Sequence, residues 1–137
     1  MATALGELAY DRWIANGELD MGEAVVPVPL HRRRRRERGF NQAELLGRAI
    51  ARVARRPCRR LLVKTASRPP QAGLSAPARH RNAAGAYRAR LPAHLLGKRL
   101  LLVDDVYTTG ATVEACTKTL LAAGARAVDV LTLARVP

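Results

Sequence analysis

At 137 residues, 48% hydrophobic and only 4% aromatic, the chain suits one folded domain over residues 1–137, with an aliphatic core built from Ala, Val and Leu. Its formal net charge of +13 is unevenly spread: residues 31–90 hold 18 of the 24 Lys and Arg but only two acids, Glu37 and Glu44, whereas residues 1–30 sum to −4 and residues 91–137 to +1. No apolar run reaches ~18 residues, no signal-peptide pattern opens the chain, and Cys58 and Cys116 show no Cys-x-x-Cys spacing; neither a zinc site nor a disulfide framework is suggested, and a soluble cytoplasmic protein is expected.

In chain order, Leu5, Leu8, Ala9 and Trp13 recur at helical spacing and predict a short amphipathic helix, followed by an acidic, Gly-containing loop to Glu23. Residues 24–137 then form the core. Ala24 to Val28 is an apolar, β-branched run that predicts a short buried strand, with Pro27 and Pro29 at its end, where a ladder donor is spared. A basic loop runs from His31 to Gly39. Asn41 fits a helix N-cap, with Glu44 completing a capping-box pair and Phe40 and Leu45 at the hydrophobic-staple positions. Leu45, Leu46, Ala49, Ile50, Val53 and Ala54 supply the apolar face of that helix, which ends before Pro57. Residues 58–63 predict a second strand, residues 64–84 a long loop of the kind that is usually functional, and Gly85 to Arg90 a third strand. Leu91 to Gly97 reads as a linker or short helix. Arg99 to Val103 is apolar enough for a central strand, Thr112 to Ala123 predicts a helix with Gly124 at C′, and Ala127 to Leu133 a last strand. Strands alternating with helices predict an α/β fold with an open parallel sheet. Cys116 falls on the apolar side of its helix and reads as a core residue.

The stretch LLLVDDVYTTGAT, residues 100–112, carries the chemistry. It joins a buried strand to a helix through two acids and a turn of small residues, and in open α/β sheets ligands sit at the carboxyl ends of strands. Thr108, Thr109 and Thr112 offer hydroxyls. Gly110 admits a close backbone approach. Ala111 and Thr112 open a helix whose amides and dipole favour an anion. Asp104 and Asp105 beside a phosphate cradle call for a reason, since carboxylates repel phosphate. Paired hydroxyls of a ribose, or a divalent cation, supply one. The bland alternative is an ordinary β–turn–α connection with two solvent-facing acids. A ribose 5-phosphate fits the whole string better.

This segment resembles the signature of the type I phosphoribosyltransferases. VPVPLHRRRRRERGFNQAELL at 26–46, the spaced set Gln71, Leu74, Ser75, Arg79, Asn82, Gly85 and Tyr87, and DVLTLAR at 129–135 resemble more narrowly the ComF family of competence-associated phosphoribosyltransferase-like proteins, over roughly residues 24–135. The resemblance implies an open parallel sheet flanked by helices, the type I phosphoribosyltransferase fold. It implies binding of 5-phosphoribosyl-1-diphosphate (PRPP) with Mg²⁺, or of a related nucleotide. Asp104 and Asp105 would hold the ribose 2- and 3-hydroxyls near the Mg²⁺, and Thr108, Thr109, Gly110, Ala111 and Thr112 the 5-phosphate. The turn from Pro29 through Leu30, His31 and Arg32 to Arg33 would approach the diphosphate. Arg79, in the loop that closes over the substrate in such enzymes, would act in catalysis with the two acids. Purine-salvage relatives carry an Asp where Thr108 stands, which argues against purine salvage here. The cysteine-rich, zinc-binding segment that opens many such chains is missing from the sequence, so a short or truncated member is expected.

The basic run from His31 to Arg38 supports a non-enzymatic reading in which Arg32, Arg33, Arg34, Arg36 and Arg38 grip an anion or a DNA backbone. Its aromatic neighbours are few, which disfavours base stacking. The family's link to DNA uptake implies single-stranded DNA and a competence helicase as partners. A solvated basic loop and a non-catalytic nucleotide sensor stand beside it. His80 and His94 show no ligand spacing.

Overall fold

The computed structural model describes residues 22–30, 41–65, 85–107 and 110–135. Their elements are β1 (Ala24–Pro27), α1 (Gln42–Ala54), β2 (Leu62–Lys64), β3 (Tyr87–Ala89), a 3₁₀ turn at Ala93–Leu95, β4 (Arg99–Tyr107), α2 (Ala111–Ala122) and β5 (Ala127–Arg135). The expected N-terminal helix, the His31–Gly39 basic loop and most of the loop at 64–84 lie outside the described residues.

Leu100, Leu101, Leu102 and Val103 are all fully buried. Side chains on a strand alternate between faces, so four buried in succession require cover on both. β4 is the middle strand of a parallel sheet in the order β1–β4–β5. Leu100 and Leu102 join β1's Ala24 and Val26 and α2's Val113, Cys116 and Leu120 in one core layer, which β2 and β3 also cover through Leu62 and Tyr87. Leu101 and Val103 join Val25, Leu46 and Ile50 in the other, beneath α1. Cys116 is fully buried.

Two local readings are corrected. Helix α1 buries Ala43, Leu46, Gly47, Ala49, Ile50 and Ala51, whereas Leu45 is exposed, so its apolar stripe is rotated by about one residue from the expected one. Small residues account for this. Gly47 places its backbone against β1, where an added Cβ would stand 3.6 Å from Val25, Pro27 and Cys58 atoms. The strand expected over 58–63 divides. Cys58 makes a single parallel bridge to Val25, and the strand proper, Leu62–Lys64, pairs antiparallel with β3 in a separate two-stranded sheet.

The N-cap reading holds: the Asn41 side chain accepts from the backbone N–H of Ala43 at 3.0 Å and of Glu44 at 3.4 Å, and donates to the Val28 carbonyl at 3.1 Å. Glu44, expected in a capping box, has a larger role. It is buried, and its Oε1 accepts from Arg48 Nη2 at 2.6 Å and from Arg60 Nε at 2.9 Å. The carboxylate thereby ties α1 to the segment leading into β2.

Leu102→Ala is expected to destabilise the domain by ~2–5 kcal/mol through the cavity it leaves. Leu133→Ala, at a side chain 45% exposed, should cost under ~1 kcal/mol. Urea denaturation of both variants measures the contrast.

Candidate functional site

The site begins where the apolar run of β4 ends. β1 stops at Pro27, opposite Val103, and the Val28 amide donates to the Val103 carbonyl at 2.9 Å. The next residues of β4, Asp104 and Asp105, run beyond this cover, while β5 still flanks them: Asp104 lies opposite Thr132. Both acids are half-buried. They belong to the strand rather than to the turn after it, since β4 continues to Tyr107.

Asp104 continues the Leu100–Leu102 row, which faces α2 and β3. Its Oδ1 accepts the Asp105 amide at 2.9 Å. Burial, and then the neighbouring Asp105 carboxyl, push its own carboxyl up to about 7. Tyr87 and Cys116 stand in the same neighbourhood. The Cys116 thiol is pushed up to about 12 by burial and by the Asp104 charge, with Lys64 opposing. The Tyr87 phenol is also pushed up, first by burial, with Cys116 and Asp104 adding and Thr112 opposing. Phenol and thiol therefore stay protonated, and Asp104 is the group of this cluster that titrates near neutrality.

Beyond β4, Gly110 caps α2 in the left-handed region (φ 81°, ψ −1°), a conformation costly for residues with a Cβ. A glycine cap brings no side-chain acceptor of its own to the first-turn amides. Gly110 and Ala111 are buried and Thr112 is half-buried, and they follow in the chain from the end of β4 that carries the two acids. Thr108, Thr109, Arg79, His31, Arg32, Arg33, Arg34, Arg36 and Arg38 lie outside the described residues.

Pro29 and Leu30 follow β1 and line a cleft of about 190 Å³ at this end of the fold. Across it stand Arg60 and Lys64 from the β2 side and Asn41 and Glu44 from the start of α1. Lys64 and Tyr87 are register partners at the open end of the β2–β3 pair, and the ammonium sits 5.9 Å from the ring centroid. Sequence reasoning missed Lys64 and Tyr87 as site residues. The signal was available: they flank the long loop at positions that strand alternation turns inward. Among the described residues no group of three or more His, Cys, Asp or Glu forms a metal cluster, and no helix is long and apolar enough to cross a membrane.

The raised Asp104 carboxyl fixes the sign of a pH effect. Its folded-state value lies above the ordinary 3.8. Between about pH 4 and 7 the folded state holds a proton that the unfolded state has released, so this group's contribution to stability is lost as pH rises across that window. Asp104→Asn should therefore melt several degrees above the wild type at pH 8 and gain progressively less on acidification to pH 4.5. A difference in Tm between the two proteins that is flat across that range would contradict the assignment.

Comparison with known proteins places this geometry. A model of the phosphoribosyl transferase domain matches residues 41–137. The DNA utilization protein YhgH of Escherichia coli K12 is 39% identical over 120 residues, covering 85% of this chain and 51% of the relative. Competence protein F of Haemophilus influenzae is 37% identical over 120 residues, covering 86% and 52%. The chain thus spans about half the length of the curated relatives it matches. In backbone it is similar to a purine phosphoribosyltransferase from Pyrococcus horikoshii, with a TM-score of 0.56 and 14% identity over 96% of this chain and 70% of that one, a likeness of fold alone. With the parallel sheet and its flanking helices, these findings make the chain a member of the phosphoribosyl transferase domain family, of the type I fold and akin to the competence-associated ComF proteins.

Proposed function

We propose that this end of the sheet binds PRPP or a nucleotide built on ribose 5-phosphate. The observation that carries the reading is the Asp104–Asp105 pair at the carboxyl end of the central strand, followed in the chain by the left-handed Gly110 that opens α2. Carboxylates accept from the ribose 2- and 3-hydroxyls, and the helix start, with the Thr112 hydroxyl, donates to the 5-phosphate. A carboxyl raised toward neutrality reduces the repulsion that a fully charged acid pair would exert on a phosphorylated sugar. Lys64 and Arg60, across the cleft from Pro29 and Leu30, give the diphosphate end two cations.

Mg²⁺ fits this donor set. Two carboxylates are hard oxygen ligands, and the ion ordinarily completes its shell with substrate phosphates and water rather than with a closed protein cage. When bound, it would neutralise the diphosphate. Transfer to an acceptor would break the C1–O bond, with the bonding pair leaving on the diphosphate, while the acceptor's lone pair forms the new bond to C1 and its proton passes to solvent. Arg79 is the residue the resemblance offers for the leaving group. The acceptor is undefined by the described residues, and diphosphate release measured against a panel of bases and amines separates a transferase from a nucleotide sensor.

Isothermal titration tests binding directly. PRPP with Mg²⁺ should bind the wild type, and the double variant Asp104→Asn, Asp105→Asn should lose the heat signal. Equal affinity in the double variant would remove the site.

A second reading has its own observation. Arg48, Arg52, Arg55, Arg56, Arg59, Arg60, Arg88 and Arg90 are exposed along the second half of α1, the turn after it and the β2–β3 pair. The acid within residues 41–65, Glu44, is buried against Arg48 and Arg60. Such a strip fits the backbone of single-stranded DNA, and the relatives carry names tied to DNA utilization and competence. Changing Arg55, Arg56 and Arg59 to Ser should weaken binding of a single-stranded oligonucleotide and flatten the slope of log affinity against log salt by roughly 2, at ~0.7 per phosphate. An unchanged slope would discard the strip as a DNA surface.

A further inference from the structure

The backbone on either side of Arg60 is pinned to two different elements. The Arg59 amide donates to the Val25 carbonyl of β1 at 2.8 Å, and the Leu61 carbonyl accepts from the Arg90 amide, just past β3, at 3.1 Å. The Arg60 side chain therefore leaves a fixed stretch of chain, and it lines the cleft with Lys64, Pro29 and Leu30. Its guanidinium meets the Glu44 carboxylate along one edge: Nε and Nη2 both donate to Oε1, the first at 2.9 Å. Glu44 lies in the first turn of α1, three residues after the Asn41 cap, which itself donates to the Val28 carbonyl in the turn after β1. The acid is 7% exposed, whereas the Arg60 side chain is 51% exposed. One partner of the pair is thus built into the fold and the other reaches out of it along the cleft.

A guanidinium carries its N–H donors in a rigid planar fork. Glu44 takes the Nε edge, and planarity then fixes the direction of the opposite side. An arginine without that anchor would spread over many rotamers, a number of which direct its charge away from the cleft. The carboxylate does not cancel the attraction for an anion. Arg48 Nη2 donates to the same oxygen at 2.6 Å, so one negative charge is shared by two guanidiniums, and Lys64 adds a further cation at the cleft. A terminal phosphate can accept from such a fork at two points at once. We infer that Glu44 is a positioning residue: it holds the Arg60 guanidinium by its Nε edge and so presents the rest of the fork to the diphosphate of PRPP in the cleft. The inference rests on the PRPP-binding reading above and adds to it the group that orients one of its cations.

The test compares two ligands on the full chain by calorimetry: PRPP with Mg²⁺, and ribose 5-phosphate, which lacks the diphosphate. Arg60→Gln should weaken PRPP roughly 10-fold or more, the range of a charge-assisted hydrogen bond, and leave ribose 5-phosphate within about 2-fold. Glu44→Gln keeps the shape of the side chain and removes its charge. Coulomb's law alone then demands tighter anion binding, because a negative charge beside the cleft is gone. A positioning role demands the reverse, with PRPP weakened roughly 3–10-fold and ribose 5-phosphate unchanged. In an Arg60→Gln background, Glu44→Gln should alter PRPP affinity by less than about 2-fold, since the group it orients is absent. Tighter or unchanged PRPP binding in Glu44→Gln overturns the inference. So does an equal loss for both ligands, as a merely structural acid would give, or a loss that persists without Arg60. Should Glu44→Gln fail to fold, Arg60→Lys decides. Lysine keeps the charge but has no fork for the carboxylate to hold, so it should lose PRPP as Arg60→Gln does, and wild-type affinity in Arg60→Lys overturns the role. A wild type that binds neither ligand overturns the ribose-phosphate reading itself, whereas one that binds ribose 5-phosphate as tightly as PRPP overturns this inference alone.

Discussion

The structure depends on β4 being buried on both faces. A strand in that position must be apolar at every residue, and Leu100 to Val103 meet the requirement with four fully buried side chains. The same constraint sets where chemistry can begin. β1 does not follow β4 further: the Val28 amide bonds the Val103 carbonyl, but the Val28 carbonyl accepts from the Asn41 side chain and the Asp105 amide donates to its neighbour Asp104. One residue later β4 has lost a neighbour on one side while keeping β5 on the other. An acid placed one residue earlier would be sealed in the core, and one placed several residues later would stand fully in water. Asp104 occupies the step between, and its half-burial follows from that depth.

This depth also decides the electrostatics. Desolvation is the largest influence on Asp104, and the adjacent Asp105 carboxyl adds to it. Both act against a second charge in the pair. The cations on this side stand on β2 and the segment leading into it, with Lys64 over Tyr87 and Arg60 engaged with Glu44. The acid pair at the end of β4 and the cations around the cleft are thereby set apart. The Glu44 carboxylate fixes the wall of that cleft. A buried acid held by two guanidiniums resists removal of any partner, because an uncompensated buried charge is costly.

Much of this was legible in the sequence for a physical reason. β1, β4 and β5 announce themselves because burial on both faces leaves continuous apolar runs, and the start of α1 does so because Asn41 is a strong N-cap. Gly110 was legible as the turn into α2 because few residue types adopt its left-handed backbone. The misreadings share another cause. The rotation of α1 turns on Ala43, Gly47 and Ala51, small residues that a hydrophobic stripe undercounts beside an exposed Leu45. The divided second strand reflects a pairing partner 25 residues away, which no local pattern encodes. Lys64 and Tyr87 escaped notice for a related reason: strand alternation beside the long loop turns both inward, but each is ordinary in its own strand until β2 pairs with β3.

The exposed arginines and the ribose-phosphate site need not be rival readings, because they discriminate on different chemistry. A row of arginines recognises phosphate spacing and is indifferent to sugar or base. In the proposed site the pair of acids would discriminate differently, favouring a ligand that presents hydroxyls or carries a divalent cation. Of the exposed arginines, Arg60 lines the cleft, together with Lys64, Pro29 and Leu30. An anion on the exposed arginines and a diphosphate in the cleft would therefore both draw on Arg60. By linkage each would weaken the other by an equal factor. That reciprocity would follow from the placement of one side chain on the approach to β2, whichever ligand the protein meets first.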